Sequence, residues 1–192
     1  MINNDEEVDL YIKNNVEKGD YDLIKNKHIV EKTDLWRLLK IYNEGGIYMD
    51  IDRFYNIPLE KIILPNIKCI LPMYFDIDFS QDIMISCSKN IIYKRAIEIN
   101  LERRRNGCTD IMTLGPATYF NAVTEILLGY QLNRYPSKLH LDLLKNIIND
   151  MQYISTYIEN PPYNTITYNG PIIDNDKEIF YKSENVIHWS SS

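Results

Sequence analysis

Residues 33–60 read TDLWRLLKIYNEGGIYMDIDRFYNIPLE, and the fold turns on how this stretch changes its period. Thr33 is a suitable helix N-cap, and Asp34 follows in the first turn, where negative charge is favoured. Leu35, Leu38, Leu39 and Tyr42 recur at helical spacing, and Gly45-Gly46 supplies a C-terminal stop that tolerates positive φ. The stretch predicts a helix over Thr33–Glu44. After the glycines the period drops to two: Ile47-Tyr48-Met49 is a short apolar strand that delivers Asp50 and Asp52 at its end, both pointing one way. Tyr48 is assigned to the core, on the opposite strand face. On the helix, Asp34, Arg37 and Ile41 share a face beside the main stripe, so Asp34 and Arg37 can reach one small volume.

Working outward, Asp5–Lys18 predicts a helix closed by Gly19, with Val8, Tyr11, Ile12 and Val16 as its stripe. The segment 21–32 gives no clear period. Ile67–Leu71 and Ile83–Cys87 fit buried strands. Asn90–Arg105 reads as a helix, Gly115-Pro116 opens another that runs to about Leu128, and Ser137–Ile148 carries a further apolar stripe. The tail from Met151 reads as irregular or β. Alternating helices and short apolar strands predict an α/β fold with a mixed sheet flanked by helices. The chain reads as a single domain over 1–192, its core from about residue 20. Open sheets of this kind bind ligands at the carboxyl ends of strands, where Asp50 and Asp52 lie.

With 45% hydrophobic and 25% charged residues in 192, the composition is that of a folded globular chain. A formal net charge of −6 argues against nucleic acid as a partner, since non-specific binding there rests on neutralising phosphates. The basic run Arg103-Arg104-Arg105 falls at a predicted helix end, where cations complement the dipole; contact with an anionic ligand is the alternative. Cys69, Cys87 and Cys108 lack metal-site spacing, and Cys69 and Cys87 are expected as small buried hydrophobes in a reducing compartment. The acidic start MINNDEEVDL and the lack of a long apolar run predict neither signal peptide nor membrane span, hence a cytoplasmic location.

Two carboxylates one residue apart at a strand end repel, and a carboxylate there is costly without a counter-charge. A divalent ion with oxygen ligands relieves both problems, and Mg²⁺ or Mn²⁺ in such sites commonly also holds substrate phosphates. Asp-X-Asp alone is weak, because aspartates are also common turn formers.

The block as a whole resembles the sugar-binding segment of glycosyltransferase family 32, with its capsular-polysaccharide and mannosyltransferase relatives, and more distantly the clostridial glucosylating toxins. That pattern has Ser-Asp-hydrophobic-hydrophobic-Arg, then Tyr-X-X-Gly-Gly-Ile-Tyr-hydrophobic-Asp-X-Asp. Thr33 stands for the Ser, while Asp34, Arg37, Tyr42, Gly45, Gly46, Ile47, Tyr48, Asp50 and Asp52 match. Thr113-Leu114-Gly115-Pro116 resembles the family's Thr-Gly-Pro, and Val186–Ser191 its terminal His-X-Trp region. The resemblance implies a GT-A fold and a retaining transfer from a nucleotide sugar, UDP- or GDP-linked, with Mn²⁺ or Mg²⁺, to a glycan or protein acceptor. It implies that Asp52 binds the metal directly, joined by His188, and that Asp50 meets donor hydroxyls and reaches the metal through water. Asp34 and Arg37 would hydrogen-bond the donor sugar, Asp82 would lie near it, and Trp189 and Ser190 would lie over the diphosphate.

One departure stands out. GT-A enzymes place a nucleotide-binding portion of about 80–100 residues before the Asp-X-Asp strand, whereas about fifty precede Asp50 here and no first strand with a base-stacking aromatic is evident. The expected fold is therefore an N-terminally shortened one, which a homo-oligomer could complete. Two alternatives stay open: a degenerate glycosyltransferase acting as a binding module, and a haloacid-dehalogenase-like phosphatase with Asp50 as nucleophile. The latter lacks its Thr or Val after the second Asp, where Phe54 stands.

Overall fold

A computed structural model of the 192-residue chain describes residues 4–51, 69–71, 73–74, 78–79, 81–132 and 156–157. The expected helix at 137–148 and most of the tail lie outside the described residues, as do Asp52, His188, Trp189 and Ser190.

Three helices come first: α1 (Asp5–Asn15), α2 (Lys18–Ile24) and α3 (Ile29–Glu44). Asn4 closes a capping box on α1, its side chain accepting from the Glu7 amide while the Glu7 carboxylate accepts from the Asn4 amide. α1 ends at Asn15, short of the expected Lys18, and Gly19 lies inside α2 instead of after α1. α3 also begins earlier than Thr33. His28 is its N-cap, with Nδ1 accepting from the Val30 amide at 3.3 Å. Thr33 sits a full turn inside and donates its hydroxyl back to the Ile29 carbonyl at 2.9 Å, a common way for a mid-helix Thr to satisfy itself. The cap signal was ambiguous because Ser, Thr, Asp and Asn serve both roles, whereas His28 is an unusual cap.

α3 is the axis of the described fold. Asp34 through Leu39 and Ile41 are all buried, which a helix tolerates only when it is covered on more than one side. Leu35, Trp36 and Leu39 join Val8, Ile12 and Ile24 of the first two helices. Leu38 and Ile41 face the other way, into a larger core with Ile83, Met84 and Ile85, Ile92, Tyr93, Ala96 and Ile99, and Tyr119 and Phe120. The one stripe expected from the sequence is thus divided between two cores.

β1 (Gly46–Met49) follows α3 directly. It pairs antiparallel with β5 (Ile83–Ser86), Gly46 opposite Ser86 and Met49 opposite Ile83. On the other side of β5 lies β2 (Cys69–Ile70), antiparallel to it, and then β6 (Thr156–Tyr157), parallel to β2. The sheet order is β1-β5-β2-β6, a mixed sheet as expected, and a separate two-stranded pairing joins β3 (Met73–Tyr74) to β4 (Asp78–Phe79). Among the described strands β1 is an edge. Its outward residues Ile47 and Met49 are 43% and 37% exposed, so the strand leading to Asp50 is less buried than its apolar sequence suggests.

Asn90 caps α4 (Ile91–Arg105), its side chain accepting from the Ile92 amide. The short α5 (Ile111–Leu114) leads through Gly115 into α6 (Pro116–Leu128), with Pro116 at its first position and Gly129 in the left-handed conformation after its end. The arginines ending α4 are built into the fold, beyond complementing the dipole. Arg104 is buried and reaches Asn100 Oδ1 at 2.8 Å and the Glu31 carbonyl at 3.0 Å. Arg105 grips both oxygens of Asp20, at 2.7 and 2.6 Å. Arg103 donates to the Thr113 carbonyl and to Thr118 and Asn121. Of the cysteines, Cys69 is buried as expected; Cys87 is exposed, because β5 ends at Ser86 and a turn follows.

Candidate functional site

The glycine pair sets the geometry. Gly45 and Gly46 have φ of +70° and +99°, the region that side chains disfavour. At Gly45 a Cβ would stand 2.6 Å from the Ser88 backbone nitrogen, so this position also needs the missing side chain for space. The chain thereby leaves α3 and enters β1 against the end of β5. The ladder then runs one step past the strand: the Asp50 amide donates to the Asp82 carbonyl at 2.8 Å.

Arg37 gathers the cluster. Its Nη2 lies 2.9 Å from Asp34 Oδ1. Its Nη1 donates to Asp50 Oδ1 at 3.3 Å and to the Gln81 carbonyl at 3.1 Å, and its Nε donates to the Thr33 carbonyl at 3.4 Å. Asp34 and Arg37 are 3% and 8% exposed, which excludes a loose surface ion pair. The fixed fork of the guanidinium suits holding several acceptors at once. Gln81 Nε2 donates to Asp34 Oδ1 at 3.3 Å, while its Oε1 is buried without a hydrogen-bond partner.

Tyr48 belongs to this site, which corrects its assignment to an opposite core face. Residues two apart on a strand share a face, and the Tyr48 hydroxyl donates to Asp50 Oδ1. Its ring lies with the Arg37 guanidinium 5.0 Å from its centroid and meets Trp36 edge-on at 6.0 Å. The period-two rule applied to Tyr48, Asp50 and Asp52 would have found it. Gln81 carried only its position before Asp82 as a signal.

Charge in the cluster is unbalanced: Asp34, Asp50 and Asp82 stand around one guanidinium. Burial raises the Asp34 carboxyl to about 6, outweighing the attraction of Arg37, and Asp50 adds to the rise. Burial by itself would lower Arg37, but Asp50, Tyr48, Asp34 and Asp82 together hold it above its ordinary value. Tyr48 is pushed up, first by burial and then, against the pull of Arg37, by Asp50. The counter-charge that Asp50 needs is thus supplied partly by Arg37, where the sequence alone suggested only a divalent metal ion.

Among the described residues, no group of three or more His, Cys, Asp or Glu side chains could hold a metal ion. The donor chemistry nevertheless fits a hard divalent ion in kind, since the cluster offers carboxylate oxygens and an excess of negative charge. The expected sugar-side residues Asp34, Arg37, Asp50 and Asp82 are therefore brought together at the end of β1.

Residues 3–67 match the glycosyltransferase sugar-binding region containing DXD motif. The resemblance drawn from Thr33–Glu60 is borne out by this match. The matched region holds α1 to α3, β1 and both motif aspartates. Among solved structures, one named PaToxG Glycosyltransferase superposes with a TM-score of 0.52 at 16% identity, over 87% of this chain and 55% of that one. At that identity the likeness is one of fold, and it agrees with an α/β fold of GT-A type. The chain spans 55% of the length of that neighbour. No curated protein matches it.

Proposed function

We propose that the chain is a retaining, metal-dependent glycosyltransferase that moves a sugar from a UDP- or GDP-sugar to a glycan or protein acceptor. The observation that carries this reading is the buried Asp34–Arg37 pair, bonded to Asp50 at the end of β1 inside the matched sugar-binding region. Arg37 makes four polar contacts with the protein, so its first task is to fix the two carboxylates. Asp50, whose side chain is 33% exposed, then presents an oxygen to donor hydroxyls while the buried Asp34 holds Arg37 behind it, a positioning effect worth several orders of magnitude in rate when the geometry is held. Asp82 lies beside them on the donor side.

The excess of carboxylates supports a resident Mg²⁺ or Mn²⁺. Asp50 Oδ1 is engaged by Arg37 and Tyr48, which favours its reaching an ion through water, with Asp52 as the direct ligand and His188 joining it. When bound, such an ion neutralises charge on a leaving nucleoside diphosphate. Trp189 and Ser190 would cover that diphosphate. The retaining outcome follows from the family resemblance alone. No observation favours the phosphatase alternative.

The test is thermal stability with UDP-glucose, UDP-N-acetylglucosamine and GDP-mannose, each with and without Mn²⁺. A Mn²⁺-dependent rise with at least one of them is expected. A melting temperature that ignores every sugar nucleotide and the metal rejects the reading; stabilisation without turnover identifies a binding module.

A further inference from the structure

Gly115 lies far from the Asp-X-Asp block in sequence and against it in space. A Cβ built there would stand 2.5 Å from Asp34 Oδ2, 2.9 Å from Asp34 Cγ and 3.1 Å from Gln81 Nε2. Real Cβ atoms essentially never come as close as the two Asp34 distances, so a methyl group would have to move the carboxyl. Gly115 has φ of −93°, outside the left-handed region, so the decisive feature is the missing side chain and not a positive φ. The Asp34 carboxyl cannot easily yield. It is nearly fully buried, ion-paired to Arg37 at 2.9 Å and bonded to Gln81. Gly115 itself is held from both sides. Its amide donates to the Ile111 carbonyl at 2.8 Å, and its carbonyl accepts from the Thr118 and Tyr119 amides. The neighbouring Leu114 carbonyl accepts from the buried Asn100 at 2.7 Å.

We propose that Gly115 is a positioning residue for the donor site: its bare Cα lets the junction between α5 and α6 close onto Asp34 and Gln81, and so sets where the Asp34 carboxyl stands relative to Arg37 and Asp50. Because Asp34 would act on the donor sugar through Arg37 and Asp50, this role rests on the glycosyltransferase reading, while the contact itself does not. Thr113–Pro116 thereby gains a function beyond starting a helix. It forms one wall behind that carboxylate, supplied by an element far downstream of Asp34 in the sequence.

The two claims separate in one double-mutant cycle of Gly115→Ala and Asp34→Ala. Alone, Gly115→Ala should lower the melting temperature by on the order of 5 °C, as overpacking does in a domain of this size. In the Asp34→Ala background the atoms that the methyl meets most closely are gone, and the further loss should be under about 1 °C. If Gly115→Ala fails to fold alone, the double variant should fold whenever Asp34→Ala does. With whichever of UDP-glucose, UDP-N-acetylglucosamine or GDP-mannose the wild type turns over in Mn²⁺, Gly115→Ala should raise the donor KM about tenfold, the scale of one lost hydrogen bond to a charged group. The double variant should show the same KM as Asp34→Ala. Turnover in the wild type with additive losses in melting temperature or KM overturns the role of Gly115. A wild type that turns over none of these donors overturns the transferase reading and this role with it, and a coupled melting cycle then still distinguishes that failure from a misplaced contact.

Discussion

Asp34→Asn keeps the shape of the most buried carboxyl of the site and removes its charge. In the folded protein burial raises Asp34 from an ordinary 3.8 to about 6, and at about 1.4 kcal/mol per pH unit the displacement amounts to about 3 kcal/mol. Its side chain is only 4% exposed, so solvent screening takes little from that figure. The sign follows from linkage. An acid whose folded value is raised contributes its full stability below the unfolded value, here below about pH 4, and loses it as pH rises through about 6. The wild type should therefore lose stability relative to Asp34→Asn as pH rises from 4 to 7. Carboxylates that are shifted the other way, such as Asp9 and Glu125 with their Lys32 and Arg95 partners, are common to both proteins and cancel in the difference. Urea denaturation of both at pH 4, 5, 6, 7 and 8 measures it, with the difference in unfolding free energy falling by about 3 kcal/mol across the window. The absolute offset also contains the altered contact with Arg37 and is not the readout. A difference that stays flat, or one that grows with pH, refutes the claim that burial outweighs the ion pair.

Two further substitutions test the frame that carries the site. Gly45→Ala places a methyl at φ +70° and 2.6 Å from a backbone nitrogen, whereas Gly46→Ala meets only a φ of +99° with open space around it. Gly46→Ala should cost about 1–2 kcal/mol and Gly45→Ala about 1–3 kcal/mol more; equal urea midpoints for the two would show that the close approach to Ser88 does not matter. Arg104→Ala removes a side chain with 2% exposure that bonds Asn100 and Glu31 and should cost about 3–5 kcal/mol, because it leaves buried partners unpaired. A loss below about 1 kcal/mol, the scale of an exposed pair, would mean that α3 and α4 are held together by apolar packing alone.

The features legible from sequence were local ones. Asn90 before an apolar period, Pro116 after a glycine and Gly45-Gly46 between two periods each act within a few residues, and α4, α6 and β1 start where those residues say they should. The pairing of Asp34 with Arg37 was legible for the same reason, since i and i+3 meet on any helix. What could not be read is what depends on packing. The depth of that pair comes from α3 being covered by two cores. The start of α3 was hidden because His28 caps it, and the burial of Arg104 depends on the first turn of α3, with Glu31, packing against α4. Cys87 lay in an apolar run yet falls just past the end of β5, where alternation no longer applies. Tyr48 is a different case. Its face was readable from the strand period, and the hydroxyl on Asp50 follows from that period once it is counted correctly. Gly115 against Asp34 joins positions that no local pattern links.

If the carboxylates at the end of β1 serve transfer from a nucleotide sugar, they must support release of the nucleotide. Release of UDP or GDP from UDP-glucose, UDP-N-acetylglucosamine or GDP-mannose in Mn²⁺, measured for the wild type and Asp52→Asn, tests it most directly. Release is expected in the wild type with at least one donor, with loss of that release on chelation of the metal and a drop of about a hundredfold or more in Asp52→Asn. Release that survives Asp52→Asn unchanged, or a wild type that releases nothing from any of the three, would contradict it.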